Sequence, residues 1–210
     1  MTTATQDKTV LIMILEEIVP FTDMYGSLID ALSSKAKLIN TKTAQDAIQH
    51  LSDATKVASL FGVLVVDGGI VHKKYKTVAT RLLEYVKNGG MVIFGFGYPS
   101  FTRPSDSNTF FANQMGLPWK FGAYHRETFV LSSVVARFMQ PKYRAGVKDY
   151  SMKAVQMKDV PVDARVYVST EEENQTAAAC QKVGKGYFGW IGDVNTEEGS
   201  TWLVLMMCDL

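Results

Sequence analysis

The run Tyr124-His125-Arg126-Glu127 sets a titratable imidazole beside a guanidinium that can hold a carboxylate in two parallel hydrogen bonds. Its chemistry would be proton transfer on an anionic ligand, with His125 as acid or base and Arg126 as anchor. In a strand, neighbouring side chains point to opposite faces, so the two need not share a site. Asp67-Gly68-Gly69 offers a carboxylate and two backbone N–H groups; it either presents those N–H groups to an anion or uses the acid to cap the next helix. Gly97-Tyr98-Pro99-Ser100-Phe101 brings a phenol and a hydroxyl to a turn, and Glu16 and Glu17 close an apolar run where one carboxylate can serve as a base or both stand in solvent. His72 follows Asp67 by five residues. His50, among polar neighbours, is expected in solvent.

Several chemistries lack their pattern. The third glycine of G-x-G-x-x-G after Gly95 and Gly97 would be position 100, which is Ser100, and no Walker lysine follows. Ser100 lies between Pro99 and Phe101 rather than in G-x-S-x-G. No H-x-H, H-E-x-x-H or C-x-x-C spacing occurs, so neither a metal nor an organic cofactor is expected.

The elements that must position these groups alternate regularly in the first half. "TVLIMIL" is a continuous apolar run of buried-strand type, followed by a helix predicted over residues 22–35 and a short strand, "KLIN". Thr43 is expected to cap a second helix through Ala47, Ile48 and Leu51; "FGVLVVDGG" is a third strand; residues 75–88 form a helix closed by Gly89 and Gly90; and "MVIFGF" is a fourth strand. In open parallel sheets ligands collect at the carboxyl ends of the strands, which selects Glu16, Asp67 to Ile70, and Gly97 to Phe101. The second half reads as a helix near residues 107–115, then short, partly alternating runs, and a final helix with Thr196 as its expected cap. Cys180, among small residues, and Trp119, Phe121, Trp190 and Trp202 are expected to be packing residues.

Composition narrows the partners. Among 210 residues, 22 Lys and Arg balance 21 Asp and Glu, leaving no broad attraction for nucleic acid or anionic membrane, so a small-molecule partner is favoured. The apolar run from Val10 to Leu15 is too short to span a bilayer and lacks the flanks of a signal peptide. Two cysteines do not make a disulfide framework, which points to a reducing, cytoplasmic setting. Residues 1–7 are read as a disordered lead-in and residues 8–210 as one domain.

"VVDGG", the helix end "LLEYVKNGG", "MVIFGFG" and the late "VGKGYFGWIGDVN", in that order, resemble the class I glutamine amidotransferase-like superfamily, in particular its ThuA-like and uncharacterised fungal branches. The resemblance implies a three-layer α/β sandwich: a flavodoxin-like, mostly parallel sheet with helices on both faces and an antiparallel extension in the C-terminal half. Active members of that superfamily expose a cysteine on a sharp turn after a central strand, paired with a later histidine and acid. Here no cysteine precedes Cys180, and Asp193 and Asn195 stand where the histidine would be, so glutaminase chemistry does not carry over.

Two functions are therefore expected. One is a small-molecule enzyme without glutaminase activity, doing acid/base or hydrolytic work at the strand ends through His125, Asp67, Tyr98, Ser100 and Glu16. Its ligand would be held by Arg126, Gly68, Gly69, Gly97, His72 and Asp193. The other is a non-catalytic binding or scaffold protein of the same fold, with homo-oligomerisation as one form of it.

Overall fold

The computed structural model describes residues 8–16, 21–133 and 148–210, the side chain of Thr22 excepted. The expected lead-in over residues 1–7, and Glu17, lie outside the described residues.

Strand β1 (Thr9–Met13) is buried along its whole length, which is why it reads as an unbroken apolar run instead of an alternating one. It is flanked by β2 (Lys37–Thr41) and β3 (Leu60–Val65), and β4 (Met91–Phe94) and β9 (Gly186–Ile191) continue the parallel array in the order β2-β1-β3-β4-β9. The pleat of β1 splits its side chains between two cores. Val10 and Ile12 meet Leu28 and Leu32 of α2 (Gly26–Ser33) and Leu203 and Val204 of α8 (Glu198–Met207). Leu11 and Met13 belong with Ala47 and Leu51 of α3 (Ala44–Ser52) and with Val78, Leu82 and Val86 of α5 (Lys76–Lys87). Burying each such side chain is worth about 1.5–3 kcal/mol.

Local signals fix several ends. Thr43 accepts a hydrogen bond from the Asp46 N–H at 3.1 Å, as a cap should. Gly89, at φ 118°, ends α5 in a conformation a side chain would resist. The helix predicted over residues 22–35 is two pieces, α1 (Phe21–Met24) and α2, separated at Tyr25. Thr196 does not cap α8: it stands at φ 56°, and the Asp193 carboxylate takes the Glu197 N–H at 2.7 Å instead. Among the described residues, no helix is long and apolar enough to cross a membrane.

The second half corrects the expectation of a mostly parallel, flavodoxin-like sheet. Strands β5 (Lys120–Leu131), β6 (Tyr150–Lys158), β7 (Arg165–Val168) and β8 (Thr176–Val183) are antiparallel throughout. Because β7 pairs with both β5 and β8 while β6 also joins those two, the four strands close into a small barrel, which meets the parallel strands through the antiparallel β8–β9 pair. Four parallel pairings thus face five antiparallel ones among the described residues. Register shifts in β5 between Phe121 and Tyr124, and in β7, supply the local twist that lets so few strands curl shut. Closure also hides the edges that a flat extension would expose.

Candidate functional site

The chain leaves β4 through Gly95-Phe96-Gly97-Tyr98, a turn closed by the Tyr98 N–H donating to the Gly95 carbonyl at 3.0 Å, and enters α6 (Gly97–Phe101). Phe96 holds φ 64° and ψ −114°, the first central position of a type II′ turn, where glycine is the usual occupant. A bulky residue there is strained by about 1–3 kcal/mol. This strand-to-helix bend is the geometry that exposes a nucleophile in sharp-elbow hydrolases. Gly97 is required beside it, since a Cβ would lie 2.7 Å from the Val66 carbonyl oxygen. The elbow is thus built, and Phe96 occupies it. Its ring is 1% exposed and meets Phe21 and Tyr25 edge-on, with centroids 5.9 and 5.5 Å away.

The candidates around the elbow are absorbed by the fold. Asp67 is buried, and its carboxylate accepts from the N–H groups of Gly69 (2.7 Å), Leu15 (2.7 Å) and Glu16 (3.2 Å), tying the end of β3 to the end of β1. Burial raises its pKa, partly offset by those bonds. The Gly69 N–H therefore serves the protein's own acid. A Cβ at Gly68 would collide with Thr102 Oγ1, so that glycine is a spacing requirement. Tyr98 is buried with its hydroxyl 3.0 Å from Ser107 Oγ, and burial pushes its pKa up, away from use as a base. Ser100 is exposed on α6. Glu16 pairs with Lys74 and, at 3.2 Å, with His72 on the surface; the Lys74 ammonium is the chief reason its carboxyl sits low.

His125 and Arg126 separate onto opposite faces of β5. Arg126 Nη2 donates to Glu197 Oε1 at 2.7 Å, and Glu197 neighbours the buried Asp193, so two expected ligand-binding residues do converge, through a third. Asp193 Oδ2 accepts from Ser200 Oγ at 2.5 Å as well as from the Glu197 N–H, and Ser200 Oγ lies 2.8 Å from the Tyr150 hydroxyl. Burial, reinforced by Glu197, lifts Asp193 to about 7. Glu197 is pushed up by burial but held low on balance by Asp193 and Arg126. Among the described residues, the buried Tyr25 hydroxyl, Thr196 Oγ1 and Glu197 Oε2 have no hydrogen-bond partner.

His125 joins a different cluster, on the barrel. Its Nε2 lies 2.7 Å from Glu127 Oε2, 3.6 Å from Glu171 Oε2 and 3.5 Å from the Gln156 amide nitrogen. Ser169 Oγ and the Thr170 N–H donate to Glu127 at 2.6 and 2.8 Å. Burial pushes Glu127 up, but these bonds outweigh it and hold it below the usual range.

Tyr150, Glu171, Glu197 and Ser200 escaped the sequence reading as site residues, and Glu127 entered it only as the last residue of its run, without a role of its own. Only Glu127 carried a signal: two residues from His125, it shares a face of the same strand. The others come from loops and elements whose meeting depends on the barrel.

No protein-family model and no curated protein matches the sequence. The fold does have relatives among solved structures. A ThuA-like protein from Bacteroides uniformis superposes with a TM-score of 0.58 at 9% identity, over 96% of this chain and 89% of that one. A ThuA-like protein from Parabacteroides merdae gives 0.55 at 14%, over 97% and 88%, and a cytoplasmic protein from Salmonella typhimurium 0.58 at 13%, over 96% and 98%. A β-galactosidase from Bacillus circulans gives 0.52 at 12% identity; this chain, matched over 97% of its length, spans 31% of that enzyme. The fold is therefore ThuA-like.

Proposed function

We propose that this chain is a binding or scaffold protein of the ThuA-like, amidotransferase-like fold, in which the strand-end elbow has become a packing element. One observation carries the reading: the elbow residue is Phe96, buried against Phe21 and Tyr25 where a reactive side chain would have to be exposed. The full engagement of Asp67 and Tyr98 supports it, since neither is left to act on a ligand. Further support comes from the β-galactosidase, in which a unit of this shape makes up 31% of a longer enzyme. The ligand is a small molecule, the chain works as one domain, and the setting is cytoplasmic; the likeness to a cytoplasmic Salmonella protein favours that location.

A second reading is favoured by Asp193: an acid buried at the end of β9, with a pKa lifted toward neutrality and a Ser200-Tyr150 chain beside it, suits general acid/base work without a covalent step. Equilibrium ultrafiltration of a small-molecule extract over the full chain tests the first reading. Mass spectrometry should find compounds retained in proportion to protein. A protein that retains nothing and is monomeric by light scattering at all concentrations overturns it.

A further inference from the structure

The barrel cluster shows a mismatch of donors and acceptors. His125 Nε2 faces Glu127 Oε2 at 2.7 Å and the Gln156 amide nitrogen at 3.5 Å. A protonated Nε2 can donate to the carboxylate but then confronts an N–H donor; an unprotonated one suits the amide and repels the carboxylate. Gln156 is fully buried, and its Oε1 has no partner among the described residues. Turning the amide over, an assignment set only by its neighbours, brings that orphan oxygen to the same point. Glu171, from the loop after β7, points a second acid there, and the ligand atoms of His125, Glu127 and Glu171 lie within 4.8 Å of one another.

We propose that His125 Nε2, Glu127 Oε2 and Glu171 Oε2, completed by the Gln156 amide oxygen, form a binding site for a divalent first-row transition cation of the zinc type. One imidazole with two carboxylates is an N/O donor set suited to such an ion, whereas magnesium prefers oxygen and water. Ligand atoms about 2.0–2.1 Å from a tetrahedral ion stand about 3.3 Å apart. The 3.6 Å from His125 to Glu171 already matches, and the 2.7 Å contact to Glu127 has only to open by about 0.6 Å. The outer shell is also in place: Ser169 and Thr170 fix the Glu127 carboxylate, as hydrogen bonds commonly fix a ligating acid. The cation would replace a frustrated contact with four converging lone pairs and tie β5 to the loop after β7. This site is separate from the elbow and stands or falls independently of the binding reading.

The test is calorimetric titration of the chelator-treated full chain with zinc chloride, with magnesium chloride in parallel. One zinc per chain is expected and no magnesium binding. Glu171→Gln, at an exposed side chain that folding does not need, should weaken zinc at least ~10-fold, and His125→Ala should abolish it. Zinc should also raise the Tm of the wild type and leave that of His125→Ala unchanged. His72→Ala is the control, because His72 also stands beside an acid, Glu16. Absence of saturable zinc binding, binding unchanged in Glu171→Gln and His125→Ala, or binding lost in His72→Ala instead would overturn the site.

Discussion

Replacing Phe96 by alanine and, separately, by glycine tests whether the elbow is a packing element held under strain. The ring is essentially inaccessible and touches two other aromatic rings, so Phe96→Ala should cost about 3–5 kcal/mol. Alanine keeps the backbone penalty of φ 64° and ψ −114°, whereas glycine releases about 1–3 kcal/mol of it. Glycine also loosens the unfolded chain, which costs about 0.4–1 kcal/mol. Phe96→Gly should therefore be more stable than Phe96→Ala by about 1 kcal/mol, the reverse of the usual order. Urea unfolding followed by the fluorescence of the buried Trp119 and Trp190 reads both values. An alanine variant that loses less than about 1 kcal/mol, or a glycine variant less stable than the alanine one, refutes the reasoning.

Asp67→Ala leaves the N–H groups of Leu15, Glu16 and Gly69 without their acceptor and should cost about 3 kcal/mol or more in the same urea assay. Tyr98→Phe removes only the bond to Ser107 and should cost about 1 kcal/mol, with the rings around it undisturbed. Asp193 has a folded pKa raised above its unfolded value, so the native state keeps a proton that the unfolded state has lost between about pH 4 and 7. Its stabilisation is complete below pH 4 and fades as pH rises toward 7, by up to ~1.4 kcal/mol per unit. Glu197, held low, acts in the opposite sense and loses its contribution only as pH falls below the ordinary carboxylate range. Urea midpoints across pH 4–8 should show that slope in the wild type and its loss in Asp193→Asn.

What the sequence disclosed was local. The unbroken apolar run of β1, the Thr43 cap and the glycine that ends α5 each follow from a few consecutive residues, and each stands where expected. The barrel did not, because alternation along β5 says which face a residue takes and not which strand will lie beside it. Its closure depends on β7 pairing not only with its neighbour β8 but also with β5, where Val130 meets Val168 across a long stretch of sequence. The candidate sites divide in the same way. Strand ends singled out Asp67 and Tyr98, yet sequence could not reveal that backbone N–H groups consume the first and burial silences the second. Thr196 was expected to cap α8 on residue type alone; it takes φ 56° instead, and the acid three residues earlier holds the Glu197 N–H at the start of the helix. Nothing in Gly95-Phe96-Gly97 announces that its middle residue takes up a glycine's conformation.

The most direct measurement is turnover. The full chain and its Asp193→Asn variant are each incubated with a small-molecule extract, and the composition is followed by mass spectrometry over hours and across pH 5–8. The binding reading predicts that both proteins leave every compound at its starting level. Depletion of a compound by the wild type, with matching product and with loss of the effect in Asp193→Asn, would contradict it and establish the acid/base reading instead.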